Sequence, residues 1–224
     1  MRFSNKSTYK YQMKVITSLF SLMLFFISFS NAQQSSESTN PHVRMGHKAV
    51  LDGDFKTAVI QLEKSLPAEA NNADVLYMLA YSYYHSGDFQ KSISTFGRVI
   101  SLRPNDVSSY YYRGKARNVL GAQMNSSLTP LERDKILSAS IKDYSKAIEL
   151  NPEDKKLYQN RAIAYRDYAI LKGQKNPKVY DKGVALSSYK SCINDFQRVL
   201  DSNPGRKDIM DELKKARVYM TNLE

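Results

Sequence analysis

Hydrophobic and small residues recur with a period of 34 residues in the chain beyond residue 38. The triplet Gly-Asp-Phe at positions 53–55 reappears at positions 87–89, and apolar positions keep the same spacing around both copies. On each side of the triplet these positions have helical spacing, which predicts two helices joined by a tight turn. Residues 39–72 and 73–106 therefore form two units of equal length without a gap.

The residues at the turns and at the unit end have the chemistry that these places require. Gly53 and Gly87 can adopt a left-handed backbone at the end of a first helix. Asp54 and Asp88 can cap the second helix by accepting from its free N–H groups. Pro104 stops the second helix of the second unit.

Two further units fit the pattern once insertions are allowed, at residues 107–154 and 155–206. They are 48 and 52 residues long, which is 14 and 18 more than the period. Thr129, Pro130 and Glu132 predict a capping box that starts a second helix early, and we expect Asn176 with Pro177 to do the same in the last unit. Divided between two helices, each excess predicts a hairpin lengthened by about 10 to 13 Å per helix. Two disordered loops are the alternative.

The chain ends in a further helical stripe. Ile209, Leu213, Ala216 and Met220 share one face of a helix over residues 207–224. A terminal repeat needs a cover that is polar on its outer side. We therefore predict a C-terminal capping helix.

The pattern of the second unit identifies a known repeat. Its marked residues are Leu76, Leu79, Ala80, Tyr83, Gly87, Asp88, Phe89, Phe96 and Pro104. This pattern resembles the tetratricopeptide repeat, and the resemblance extends over residues 39–224. It implies an all-α fold, a right-handed α-solenoid of about four hairpins with the last two elongated, closed by the capping helix.

The resemblance also implies that the first helices of the hairpins line a concave groove for peptides or protein segments. The residues that it carries to this groove as candidate partner contacts are Tyr77, Tyr81, Tyr84, His85, Tyr111, Lys115, Asn118, Gln159 and Arg166. Tyrosines are common in recognition surfaces, and the cations lie towards the C-terminal half of the groove. We therefore expect the groove to bind an acidic or an aromatic segment of a partner protein. The alternatives are burial of the tyrosines against the next unit and solvation of Lys115 and Arg166.

A subset of the family binds acidic chaperone tails through a clamp of lysine, asparagine and arginine side chains. Here the five clamp places of units two to four hold Tyr77, Tyr81, Tyr112, Lys156 and Asn160. This set does not match, so the sequence does not support that specialised role.

Residues 1–32 have the pattern of a secretory signal peptide. Four cations and no acid precede an apolar run at residues 15–30. The small residues Ser30 and Ala32 then stand at the spacing that signal peptidase requires before its cleavage site. The run has 16 residues, whereas a bilayer core needs about 20. We expect export to the periplasm, the cell envelope or the medium, with residues 33–38 as a flexible tether. A retained single-span anchor is the alternative, and only then is a membrane contact expected.

Net charge and cysteine content limit the classes of partner and the kind of crosslink that the sequence allows. Without the four leader cations the chain has 29 basic and 22 acidic residues, so its net charge falls from +11 to +7. An exported protein rarely meets nucleic acid, so no such partner is expected. The single cysteine, Cys192, cannot form an internal disulfide.

Candidate catalytic groups are few. His42, His47 and His85 are the only histidines, and their spacing misses that of a helical metal site. Asp54 and Asp88 are explained by helix capping. We therefore predict that the chain has no catalytic, cofactor or metal site. We predict that it is an exported, non-catalytic adaptor or assembly factor that binds a protein or peptide. A membrane-tethered scaffold and a glycan- or cell-wall-binding module are the alternatives.

Overall fold

A computed structural model describes residues 39–123 and 127–223. The predicted signal peptide and tether lie outside the described residues. Within these ranges the chain forms nine α-helices and no strand. The helices are α1 (Pro41–Leu51), α2 (Phe55–Glu69), α3 (Ala73–Ser86), α4 (Phe89–Leu102), α5 (Val107–Ala122), α6 (Pro130–Leu150), α7 (Lys155–Gly173), α8 (Lys182–Ser202) and α9 (Lys207–Thr221).

The helices pack in chain order as four hairpins and a cap. Each helix contacts the next along the chain, and α5 also contacts α3 and α7. One hydrophobic cluster joins the first two hairpins around Leu62 and Leu79, and a larger one joins the last two hairpins to α9 around Tyr144, Tyr158 and Phe196. This is the predicted all-α solenoid.

The turns of the first two hairpins are built as the sequence predicts. Gly53 and Gly87 have φ angles of 74° and 88°, in the left-handed region that favours glycine. The Asp54 carboxylate accepts from the Thr57 N–H at 3.1 Å. The Asp88 carboxylate accepts from the Lys91 N–H, also at 3.1 Å. Both aspartates cap a helix.

Small residues allow the two helices of a hairpin to approach closely. A Cβ atom at Gly46 would lie 2.6 Å from Leu62 Cγ, so only glycine fits there. The Ser92 hydroxyl donates to the Ala80 carbonyl oxygen across the second hairpin at 2.9 Å. The Ser140 hydroxyl donates across the third hairpin in the same manner.

The last two hairpins are elongated, but less evenly than the sequence suggests. Helices α6 and α8 have 21 residues each, seven more than α3 or α4, whereas α5 has 16 and α7 has 19. The equal division of each excess was wrong because α5 ends at Ala122 and α6 begins only at Pro130, and because residues 174–181 connect α7 to α8. The capping box at Thr129 and Glu132 is present and starts α6.

The expected helix start at Asn176 and Pro177 was also wrong. Helix α8 begins at Lys182, and Asp181 caps it by accepting from the Val184 N–H at 2.9 Å. Asn176 forms a turn, since its backbone oxygen accepts from the Tyr180 N–H at 2.8 Å. Val179 in this turn is buried against Leu137 and Leu171. This packing favours the turn over a helix at residues 176–180.

Helix α9 covers the end of the array. Ile209, Leu213 and Ala216 are buried against the last hairpin, as the helical stripe predicts. Among the described residues, no helix is both long and apolar enough to cross a bilayer. The apolar run at residues 15–30 lies outside them.

Candidate functional site

The candidate groove rings of α3 form a continuous row of ring contacts. The Tyr77 and Tyr81 rings are stacked with centroids 6.5 Å apart, and the Tyr81 ring lies 4.3 Å from the His85 ring. His85 also stacks on Phe55 of the first hairpin at 4.5 Å. The predicted residues of α3 are therefore neighbours on one surface, and His85 links them to α2.

Tyr112 of α5 is the centre of this aromatic surface, and the sequence reasoning missed it as a groove residue. Its ring lies 6.4 Å from Tyr77, 5.1 Å from Tyr81 and 5.9 Å from Tyr84. It also stacks on the buried Phe96 at 5.9 Å. Burial raises the pKa of Tyr112 well above its ordinary value. The available signal was the run of three tyrosines at positions 110–112, of which only one was assigned to the groove.

Tyr111 connects the aromatic surface to a cluster of lysines. Its ring is 6% exposed and contacts Tyr112 at 5.0 Å. Lys115 lies with its Nζ 5.9 Å from the Tyr111 centroid, and Lys156 of α7 lies 5.0 Å from it. Lys115 also lies 5.3 Å from the Tyr84 ring. Contacts of this kind attract a cation to the ring face, so the tyrosines hold both lysines in place.

A pocket of about 520 Å³ opens beside these lysines. The residues lining it are Tyr111, Lys115, Lys155, Lys156, Gln159, Asn160, Val199 and Arg206. Four of the eight are cations and none is an acid. Lys155 and Arg206 were not among the predicted groove residues. Arg206 could not be placed beside α7 without the path of the chain before α9.

The cations of the pocket differ in their internal partners. Arg206 is paired with Asp208 at 2.6 Å and donates to the Gln159 side-chain oxygen at 3.2 Å. Lys115 and Lys156 form no ion pair within residues 39–123 and 127–223. These two lysines are therefore the cations that an external anion can neutralise.

A second pocket of about 240 Å³ continues the groove towards α3. Its lining includes Tyr77, Ser108, Tyr112 and Asp154, and it shares Tyr111 and Lys156 with the first pocket. Burial raises the pKa of Tyr77 to about 12, so its hydroxyl stays protonated at neutral pH. The two pockets thus form one surface, tyrosine-rich at one end and cationic at the other.

The remaining predicted residues are bonded within the chain. The Asn118 amide of α5 donates to Asp167 of α7 at 2.9 Å. Arg166 pairs with Asp167 at 3.0 Å and with Glu212 of α9. This chain of contacts joins three helices, so the Asn118 amide N–H and the Arg166 guanidinium have partners inside the fold, whereas the buried Asn118 Oδ1 accepts no hydrogen bond from the described residues. Their contact with a partner protein stays a prediction.

His85 is the one histidine of this surface. Burial among the rings lowers the pKa of His85, and the nearby Lys115 lowers it further. No group of three or more His, Cys, Asp or Glu side chains in the described part of the chain is arranged to hold a metal ion.

Residues 52–121 match the sequence family described as Anaphase-promoting complex, cyclosome, subunit 3. Among curated proteins, the chain is similar to the Photosystem I assembly protein Ycf3 of Acaryochloris marina (strain MBIC 11017). The two are 23% identical over 130 residues, which cover 57% of this chain and 78% of that protein. The protein of the same name from Prochlorococcus marinus (strain NATL2A) is 27% identical over 114 residues, which cover 50% of this chain and 66% of that protein.

Solved structures of the MamA protein have a similar fold. One has a TM-score of 0.50 and 20% identity, covering 82% of this chain and 90% of that one. A second, MamA MSR-1, has a TM-score of 0.51 and 17% identity, covering 70% of this chain and 76% of that one. Together with the 34-residue period and the helix order, these likenesses show a solenoid of helical hairpins, which is the fold that the resemblance to the tetratricopeptide repeat implies.

Proposed function

We propose that the protein is an exported, non-catalytic adaptor or assembly factor that binds a segment of a partner protein in the groove. The observation that carries the proposal is the continuity of the two pockets through Tyr111 and Lys156. A preformed concave surface of packed rings loses little conformational freedom when it binds a flexible segment. The names of the curated relatives support an assembly role.

The chemistry of the groove favours a partner segment that is acidic at one end and aromatic or apolar at the other. Lys115 and Lys156 can place a carboxylate beside Tyr111, where a charge-assisted hydrogen bond is stronger than a neutral one. The Tyr77 and Tyr112 rings offer flat and edge contacts to an apolar side chain. Asp154 lines the second pocket, so it disfavours a second carboxylate there.

The proposal assigns no catalytic step to this surface. The two aspartates that the sequence brings forward as acid-base candidates, Asp54 and Asp88, each accept a helix N–H. His85 stacks on Phe55, and the Tyr84 ring meets it edge-on with the ring centroids 5.0 Å apart. Rings held in this manner suit contact with a partner side chain.

Export rests on residues 1–32 of the sequence. Intact-mass measurement of the protein recovered from the envelope fraction of its host tests it. A chain that begins at Gln33 supports export with cleavage. A chain that retains residues 15–30 contradicts cleavage and leaves the membrane-tethered scaffold.

Binding in the groove is tested by crosslinking and capture from the native envelope fraction, with residues 33–224 as bait. The test variant carries Lys115→Glu and Lys156→Glu. The matched control carries Lys56→Glu and Lys64→Glu on α2, which contributes no residue to either pocket. Circular dichroism confirms that the three baits are equally helical.

The proposal expects partner proteins that the parent and the control capture and the test variant loses. Equal capture by all three baits would place binding outside the groove. Capture of polysaccharide alone would replace the adaptor by the glycan- or cell-wall-binding alternative.

A further inference from the structure

The loop at residues 174–181, at the tip of the fourth hairpin, is firmly held. Its backbone N–H at Asp181 donates to the Lys172 carbonyl oxygen at 2.8 Å, and the Asn176 side chain accepts from the Lys178 N–H at 3.0 Å. Val179 is 3% exposed and packs in a cluster with Leu137 of α6 and Leu171 of α7. The loop is therefore part of the fold.

The same loop presents an aromatic ring and two lysines to solvent. Tyr180, directly after the buried Val179, is 48% exposed. Lys175, Pro177 and Tyr180 line a shallow depression of about 280 Å³. Lys178, in the same loop, is also exposed. The loop therefore holds a mixed apolar and cationic patch on a fixed backbone.

The neighbouring hairpin extends this surface. The third and fourth hairpins are joined here, since Asp134 of α6 pairs with Lys172 of α7 at 3.3 Å. On α6, Leu131 is 50% exposed and Lys135 is exposed. We call this edge the tip surface and define it by Leu131, Lys135, Lys175, Lys178 and Tyr180.

The charges around the tip surface leave an excess of cations. Asp134 is paired with Lys172. Asp181 and Glu132 accept cap hydrogen bonds from backbone N–H groups and keep their negative charges. The three lysines of the tip surface form no ion pair within the described ranges 39–123 and 127–223. The three lysines therefore outnumber these two carboxylates and leave the surface net positive.

We infer that the tip surface binds an anionic membrane surface, with its lysines on lipid phosphates and Tyr180 at the headgroup level. Tyrosine prefers the membrane interface because its ring is apolar and its hydroxyl is polar. Lysines near a negative leaflet add attraction, and the exposed Leu131 adds shallow burial. One ring and one aliphatic side chain offer less area than the roughly 800 Å² per partner of a stable protein interface, which favours a lipid surface over a protein. This contact is separate from the groove and from residues 1–32.

A fluorophore that responds to its surroundings tests the contact in the full chain. Gly183→Cys places the label one turn from the loop, where a Cβ atom would meet only the Asp181 side chain at 3.5 Å. Gln90→Cys on the exposed side of α4 is the matched label position. Cys192 is fully buried and stays unlabelled. Because the readout is local, it reports the tip surface even if residues 15–30 bind the bilayer.

Vesicles of phosphatidylcholine with about 30% phosphatidylglycerol should raise the emission of the label at position 183, and pure phosphatidylcholine vesicles should not. The label at position 90 should respond to neither. Lys175→Glu with Lys178→Glu should weaken the response by at least about 25-fold in lipid concentration, since the loss of each lysine near an anionic surface costs roughly fivefold and each new glutamate adds repulsion. Salt of about 0.5 M should also suppress it.

Lys56→Glu with Lys64→Glu makes the same change in net charge on α2 and should leave the response within about twofold. An equal loss in both charge variants would overturn the inference, because net charge alone would then explain binding. An equal response at positions 90 and 183, or a response to neutral vesicles, would overturn it as well. Tyr180→Ala should reduce the response with the lysines retained; an unchanged response would exclude the ring from the contact.

Discussion

Arg161 of α7 donates two hydrogen bonds to the carboxylate of Asp195 on α8, one from Nε to Oδ2 at 2.8 Å and one from Nη2 to Oδ1 at 2.9 Å. Arg113 and Asp143 repeat the arrangement in the third hairpin, where the Nη2 to Oδ1 distance is 2.7 Å. Both arginines are seventh in their units, a place that the second unit fills with the buried Leu79. The elongated hairpins thus hold their two helices together through a buried ion pair.

Asp195→Ala should lower the free energy of unfolding by about 3 kcal/mol, because Arg161 would remain largely buried without its carboxylate. Urea unfolding followed by circular dichroism measures the change. Asp211→Ala, at an exposed position of α9, should change it by less than about 0.5 kcal/mol. Equal effects of the two substitutions would mean that the ion pair does not stabilise the hairpin.

Gly121→Ala should lower the free energy of unfolding by about 1 to 3 kcal/mol through overpacking. A Cβ atom there would lie 2.7 Å from Leu137 Cγ, at the contact between α5 and α6. Gly97→Ala is the matched control, since its Cβ atom would find only the Arg113 guanidinium at 3.7 Å, and alanine favours a helix interior. Thermal unfolding compares the two. A destabilised Gly97→Ala beside an unchanged Gly121→Ala would contradict the packing of α5.

Cys192 should resist thiol reagents in the native protein. The side chain is fully buried, and burial raises the pKa of its thiol to about 12, whereas the thiolate is the reactive form. The rate of reaction with a colorimetric disulfide reagent at pH 8 should be limited by unfolding of the protein. The reaction should become fast in denaturant. Fast reaction without denaturant would show that α8 opens readily.

Acidification should weaken the docking of α9 through Glu212. Lys215, and then Arg166, hold the pKa of Glu212 below its ordinary value. A carboxylate with a lowered folded-state pKa contributes stability that is full above the ordinary value of 4.5 and is lost as pH falls through the folded-state value.

Urea unfolding of the parent and of Glu212→Gln across this range measures that contribution. The stability difference between the two proteins should be largest near pH 6 and should shrink as the pH falls below the folded-state pKa of Glu212. A stability difference between the parent and Glu212→Gln that does not change with pH would mean that the substitution acts through side-chain shape and not through charge.

The candidate site was only partly predictable. Tyr77, Tyr81 and His85 come from one helix, so their spacing alone places them on one face. Tyr112 was missed because its role depends on rings of α3 and on Phe96 of α4. Lys155 and Arg206 belong to the groove only because α7 and the segment before α9 converge there.

The sequence by itself determined what depends on residues close together in the chain. It determined the glycine turns at positions 53 and 87, the aspartate caps, the capping box of α6 and the 34-residue period, because each requires contacts within a few residues or a fixed helical spacing. Only the tertiary structure decided where α8 begins and which lysines have no carboxylate partner among the described residues. Burial of Val179 against Leu137 and pairing of Lys172 with Asp134 join segments about 40 residues apart, and the free energy of such contacts overrides local helix signals.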